Sequence, residues 1–277
     1  SLVHFTYEEH EVTLIDTPGL GDFLGQAIAC LPAVETVAIV VDAVRGVEPV
    51  ARKMMAIGAE RKLPRMIVVN KIDNPEADLA GVVEQIRDEF GSICLPINLP
   101  RPGRKDVVNV FEHDGKDGKG DAAEFSSVRE AHKRIVEQVI EVDEELTLEY
   151  LEKGEPGGGF DKDKLHAALE KCLEEGHLVP ICFCSAKTGA GIEDLLHIFA
   201  SLCPSPLEVH PSEFVKRGSV EDAEEDFNPP PKEGGPLLAH VFKVFNDPFV
   251  GKLGILRVYS GTLRTKQDVL IDDQKKP

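Results

Sequence analysis

No run of the form G-x-x-x-x-G-K-[ST] occurs in these 277 residues. Gly115-Lys116, Gly118-Lys119 and Gly251-Lys252 are followed by Asp117, Gly120 and Leu253, so the chain carries no glycine-rich cradle for a phosphate. No apolar run approaches the roughly 18 residues that span a bilayer, and no signal peptide is expected ahead of the first strand. The six cysteines lack C-x-x-C spacing, and Cys182 and Cys184 alternate along one apolar run. That favours buried reduced thiols over a metal site or a disulfide framework. Positive charge is also scarce: 31 Lys and Arg face 49 Asp and Glu, a formal net charge of −18. Such a balance argues against a chain that coats nucleic acid nonspecifically.

What is present is a sizeable apolar fraction, 42%, and a length that is long for one domain and permits two. Apolar runs break into polar loops at three places. Met66-Ile67-Val68-Val69 runs into Asn70-Lys71-Ile72-Asp73, at the carboxyl end of a strand, where open parallel sheets bind ligands. The Asp73 carboxylate suits the paired donors of guanine, its ring N–H and exocyclic amino group; adenine offers no such pair. A bidentate base contact discriminates by about 1–3 kcal/mol, and an unpaired buried group widens the gap. The Lys71 stem would lie over the base, and Asn70 would pin neighbouring loops. Asn and Asp are also common turn residues, so this loop alone reads equally well as a closing turn.

Upstream, Val12-Thr13-Leu14-Ile15 leads into Asp16-Thr17-Pro18-Gly19. In guanine-nucleotide switches an Asp so placed holds Mg²⁺, and the Gly N–H meets the terminal phosphate. Downstream, Val179 to Cys184 ends in Ser185-Ala186-Lys187, where a small residue would expose its N–H to the guanine carbonyl. Each signal alone is a strand and a turn. The three in this order point to guanine-nucleotide binding.

Asp16-Thr17-Pro18-Gly19-Leu20-Gly21-Asp22-Phe23, the Asn70–Asp73 loop and Ser185-Ala186-Lys187 together resemble translational GTPases. Within them the chain is most similar to elongation factor G or an elongation factor G-like paralogue. The narrowing rests on Gly81 to Ile86 with Leu95-Pro96-Ile97, on Val142 to Leu146 with Tyr150-Leu151-Glu152, and on Pro204-Ser205-Pro206-Leu207. Val241 to Val244, Asp247 to Gly251 and Arg257 to Leu263 resemble the opening of that family's β-barrel second domain. The resemblance implies GTP or GDP and Mg²⁺ as cofactors. Asp16 would hold the metal, Gly19 would sense the terminal phosphate, and Asn70, Lys71, Asp73, Ser185, Ala186 and Lys187 would hold guanine. It further implies a cytoplasmic monomer, free of membranes, that meets rRNA and ribosomal proteins and hydrolyses GTP to drive translocation or subunit separation. One departure stands out. The family usually has His after the Asp-Thr-Pro-Gly run, to orient the attacking water, and this chain has Leu20. Either the protein is a regulatory paralogue with weak ribosome-stimulated hydrolysis, or Leu20 packs in the gate while another group does that work.

The alternation of strands and helices predicts an α/β fold, a P-loop-NTPase-type sheet with helices on both faces, its first strand and phosphate loop absent. Ser1 is not a start methionine, so the sequence is expected to be an internal fragment cut just before the strand that carries Asp16. The expected divisions are a partial GTP-binding domain over 1–212 with an insertion over about 92–178, an acidic, proline-containing linker over 213–235, and a truncated β-barrel domain over 236–277. Val37 to Val41 reads as a buried strand. Val50, Met54 and Ile57, then Leu79, Val82, Val83 and Ile86, fall at helical spacing. Residues 99–121 are expected to be a mobile loop, Ser126 to Lys153 one long helix, and Asp161 the cap of a helix through Leu165, Leu169 and Leu173. Ile192 to Leu202 is a last helix with Leu195, Leu196 and Phe199 inward. Glu221 to Asp226 and Pro229-Pro230-Pro231 read as a solvated spacer.

Overall fold

The computed structural model describes residues 1–113, 122–143, 145–148, 162–209, 214–217, 224–227 and 230–269. The chain divides into two units, Ser1–Ile28 with Glu35–Ser205, and Ala29–Val34 with Pro206–Pro277.

The first unit is built on a four-stranded parallel sheet. Strands β3 (Val37–Asp42), β4 (Arg65–Asn70), β8 (Val179–Phe183) and β5 (Cys94–Pro96) lie in the order β3-β4-β8-β5. Helices flank it: α2 (Pro49–Glu60), α3 (Leu79–Phe90), α4 (Val128–Val142), α5 (Lys162–Glu174) and α6 (Ile192–Leu202), with α1 (Leu24–Cys30) preceding β3 in the chain. Their ends are set by local chemistry. Pro49 opens α2, where its missing N–H costs nothing. Asp78 caps α3 by accepting the Gly81 N–H at 3.0 Å, and Ser127 caps α4 by accepting that of Glu130 at 3.1 Å. Along β4, Met66, Ile67, Val68 and Val69 are all buried, as expected of a strand covered on both faces. The α3 stripe Leu79, Val82, Val83 and Ile86 is buried as its spacing predicts.

Several expectations need correction. β3 is not buried throughout: it is an edge strand whose residues alternate, leaving Val40 63% exposed. The strand that carries Asp16 is not the first. β1 (Leu2–Tyr7) precedes β2 (His10–Ile15) and pairs with it antiparallel, through a turn with Glu8 at φ 52°. Residues 99–113 are not a loose loop, because β6 (Asn98–Pro100) and β7 (Val107–Asn109) pair antiparallel with every residue buried. Residues 114–121 lie outside the described residues. The long helix stops at Val142 because Asp143 turns extended and caps a new helical turn over 145–148, accepting the Leu146 N–H at 3.0 Å. Residues 149–161, which include Tyr150-Leu151-Glu152 and Asp161, lie outside the described residues. On α6 Leu195, Ile198 and Leu202 are buried; Phe199 packs against the same core half-buried, as expected, while Ile198 was missed and Leu196 is half-buried.

The core of this unit joins sheet and insertion. Met66, Leu99, Val110, Ile135, Val139, Leu169, Leu173, Cys182 and Ile198 belong to one buried cluster. All six cysteines are thiols rather than halves of disulfides, and all but the half-buried Cys203 are buried. The second unit carries β9 (Phe214–Arg217) paired with β10 (Glu224–Phe227), and β11 (Leu238–Asp247) paired with β12 (Gly251–Ser260), both antiparallel. The acidic stretch is therefore partly a strand. Residues 221–223 and Pro229 lie outside the described residues. Among the described residues, no helix is long and apolar enough to cross a membrane.

Candidate guanine-nucleotide site

Parallel register places the ends of three strands side by side, since Asp42 lies opposite Asn70 on β4, and Val69 opposite Phe183 on β8. The loops that leave β4 and β8 are joined by side chains. Asn70 Oδ1 accepts the N–H of Lys71 at 2.7 Å and, across the gap, that of Ala186 at 3.0 Å. The Ser185 hydroxyl donates to Asp73 Oδ1 at 2.5 Å, and Lys187 Nζ lies 3.9 Å from Asp73 Oδ2. Lys71 takes a left-handed backbone, φ 68°, uncommon for a residue with a side chain, and turns the chain so that Asp73 meets Ser185. The loops bound a pocket of about 450 Å³ that Asn70, Lys71, Asp73, Ala186 and Lys187 help to line, within the size range of small-ligand sites.

Ser185 is fully buried and does not line this pocket. It acts through Asp73, and its hydroxyl also accepts the Thr188 N–H at 3.2 Å. The Ala186 N–H, expected to be exposed for a base carbonyl, is engaged by Asn70. Lys71 reaches across to Asp42, Nζ to Oδ2 at 2.6 Å, which holds the Asp42 carboxyl below its ordinary range, with the Val44 and Arg45 N–H groups adding to the effect. Burial pushes the Cys184 thiol, just behind the loop, up to about 11, so it stands as a neutral packing group.

Asp16 and Gly19 are not part of that lining. The Asp16 side chain is 76% exposed, with Ser1 Oγ donating to it at 3.1 Å. Among the described residues, nothing beyond its two chain neighbours lies within 4 Å of where a Gly19 Cβ would stand. Leu20 is 68% exposed, and its carbonyl accepts the Phe23 N–H at 3.0 Å as a short 3-10 turn begins. One exposed carboxylate fits the way Mg²⁺ is held, by one or two carboxylates together with water and phosphate oxygens. Among the described residues no group of three or more His, Cys, Asp or Glu could hold a metal alone.

The sequence reading missed the polar groups behind the loops. Asn98 on β6 accepts the Phe183 N–H at 2.7 Å and donates to Asp194 of α6 at 2.5 Å. Asn109 also bonds to Asp194, whose carboxyl burial pushes up despite these two amides. A Cβ on Gly191, φ 71°, would collide with the Phe183 carbonyl, so α6 can start against β8 only from glycine. Arg104 and Glu124 were missed because both sit in irregular backbone. The visible hint was Pro102-Gly103, a turn signal inside a stretch read as loop.

Comparison with known proteins places the fold in a family. Residues 1–205 match the family model described as the elongation factor Tu GTP binding domain. The crystal structure of ttk003000868 from Thermus thermophilus is similar, with a TM-score of 0.73 and 28% identity. The similarity covers 94% of this chain but 37% of that one, so the chain spans well under half the length of that relative. With 205 of its 277 residues inside the family match, the chain belongs to the family of the elongation factor Tu GTP binding domain.

Proposed function

We propose that this chain is the base-reading part of a ribosome-associated translation factor of the elongation factor G type, cytoplasmic and monomeric. The intact protein would hydrolyse GTP to drive translocation or subunit separation. The observation that carries the reading is Asp73, which lines the pocket while the Ser185 hydroxyl holds its Oδ1 at 2.5 Å. An oriented carboxylate at a pocket wall suits the paired donors of guanine. Asp16 would take Mg²⁺ as a single carboxylate ligand, Gly19 would offer its N–H to the terminal phosphate, and Asn70 would tie the base-reading loops together. Bound Mg²⁺ would neutralise phosphate charge. No phosphate loop lies within these residues, so residues 1–277 alone are expected to bind GTP more weakly than micromolar, having lost the anchoring anion contacts. Calorimetry showing micromolar or tighter binding would count against that.

A second reading is favoured by one observation: Leu20, at the position where the resembling family usually carries its water-orienting His, presents an exposed apolar side chain. In it the protein is a nucleotide-set regulator with little ribosome-stimulated hydrolysis. Ribosome-stimulated turnover by the intact protein separates the two. Background turnover with tight nucleotide binding sinks the first, and Leu20→His then shows whether this position sets the rate.

A further inference from the structure

Besides Ser185 on the Asp73 side chain, Arg104 holds the backbone of the loop after β4 from outside. Residues 71–77 form consecutive turns, with the Asn74 N–H donating to the Lys71 carbonyl at 3.0 Å and the Ala77 N–H to that of Asn74 at 3.1 Å. Arg104 supplies donors to the carbonyls along this loop. Its Nη1 donates to Asn74 at 2.8 Å and Ile72 at 3.3 Å, and its Nη2 to Ala77 at 3.0 Å. Its Nε and Nη2 donate to Glu124 Oε1 at 3.0 and 2.9 Å. All five guanidinium N–H groups are thereby used, three of them on the backbone that flanks Asp73. The side chains of Arg104 and Glu124 are 19% and 26% exposed, so water competes little for these bonds.

The backbone beneath Arg104 is shaped for this reach. Arg104 itself lies in the left-handed region, φ 55°, after Gly103 at φ 84°, a conformation a non-glycine residue holds only where its surroundings compel it. The turn is closed by the Arg104 N–H on the Arg101 carbonyl at 2.9 Å and the Arg101 N–H on that of Asp106 at 2.9 Å. Glu124 is anchored in turn, its N–H donating to the Pro100 carbonyl at 2.9 Å. Both residues thus hang from the β6–β7 pair, which is itself fastened to β8 through Asn98.

We propose that Arg104, seated by Glu124, is a positioning residue for base recognition: it fixes the 71–77 loop so that the Asp73 carboxylate meets both donors of guanine together. This rests on the guanine reading given above. Lysine would not replace it, because an ammonium has three donors on a flexible stem and no planar fork to span three carbonyls.

The test uses the intact protein and its Arg104→Ala, Arg104→Lys and Glu124→Gln variants, with GDP and IDP as competing ligands. IDP lacks the exocyclic amino group, so the affinity ratio reads the second hydrogen bond at Asp73. In the unchanged protein that ratio is expected to be about tenfold or more, the worth of a hydrogen bond to a charged group. It should fall toward unity in Arg104→Ala, part of the way in Arg104→Lys, and least in Glu124→Gln. A merely structural role would weaken GDP and IDP equally and leave the ratio alone. Hydrogen exchange, read alongside, should show the Asn74 and Ala77 amides losing protection in Arg104→Ala while the sheet amide of Cys184 keeps its own. An unchanged ratio with unchanged loop protection overturns the brace. Equal binding of GDP and IDP by the unchanged protein overturns the guanine reading, and exchange alone then decides whether Arg104 holds the loop.

Discussion

The loops after β2 and β4 carry the same kind of signal in the sequence, an apolar strand breaking into small and acidic residues, but the structure supports them differently. The loop after β4 is tied to the loop after β8 by Asn70, to Ser185 by Asp73 and to Asp42 by Lys71. The loop after β2 leaves Asp16 and Leu20 exposed, and among the described residues only its chain neighbours come close to where a Gly19 side chain would start. The difference follows from register. β4 and β8 are adjacent members of one parallel sheet, so their ends are held together by the ladder. β2 belongs to a separate two-stranded hairpin, where its end at Ile15 pairs only with Leu2 of β1 among the described residues, and not with a strand of the parallel sheet. Base reading requires a surface built in advance, since discrimination comes from groups that cannot move away from a poor fit. A loop that answers to a phosphate needs freedom to order around it.

The sharpest way to break this comparison is Asp73→Asn in the intact protein. Replacing the carboxylate gives one acceptor and one donor where guanine has two donors, so guanine-nucleotide affinity should fall about 100-fold, the upper range for a bidentate base contact. Xanthine, with a carbonyl in place of the amino group, should gain relative to guanine. Competition between GDP and XDP measures both, and a variant that keeps its guanine preference removes Asp73 from the site. Asn70→Ala should have the next largest effect. It deletes the two backbone N–H bonds to Oδ1, each worth about 1 kcal/mol, along with the longer Cys184 Sγ contact, so guanine affinity should fall about tenfold and the denaturant midpoint should drop together with it. A loss of stability with unchanged affinity would mean that Asn70 ties the loops without positioning them for the base.

Asp16→Asn tests the other side. It should reduce the Mg²⁺-dependent part of nucleotide binding while leaving the preference of guanine over adenine within about twofold, as expected of independent sites. A large change in base preference would mean that the two loops act as one, against the separation seen here.

The residues that share the pocket were legible because their chemistry is local: a β-branched run, then Asn, Lys and Asp within four residues. Their partners were less so. Lys71 could be read as a cover for the base, but its pairing with Asp42 depends on the register of β3 against β4, which no local pattern encodes. Arg104 and Asn98 act on residues that follow or precede them by dozens of positions, and a glycine-rich stretch gives no periodicity from which to place them. The end of α4 was missed for the opposite reason: apolar spacing continues past Val142, while Asp143 breaks the helix by offering its own side chain to the next turn. β3 was read as buried because Val-Ala-Ile-Val-Val is apolar at every position; being an edge strand is a property of the sheet.

The smallest expected effect distinguishes two carboxylates at the back and front of the same loops. Asp42 is held below its ordinary 3.8, first by Lys71, while Asp194 is raised above 3.8 by burial. The linkage runs in opposite directions. For Asp42 the unfolded chain binds the proton more tightly, so its contribution is present above the ordinary value and is lost as pH falls through the lowered one. For Asp194 the folded chain binds the proton more tightly, so stability rises as pH falls through the raised value toward 3.8. Denaturant midpoints of Asp42→Asn and Asp194→Asn, each compared with the unchanged protein from neutral pH down to the lowest pH that still gives cooperative unfolding, should therefore diverge. The unchanged protein loses its advantage over Asp42→Asn on acidification and gains on Asp194→Asn. Parallel pH curves would mean that the Lys71 pair is too well solvated, or the Asn98 and Asn109 amides too strong, for burial to set the two apart.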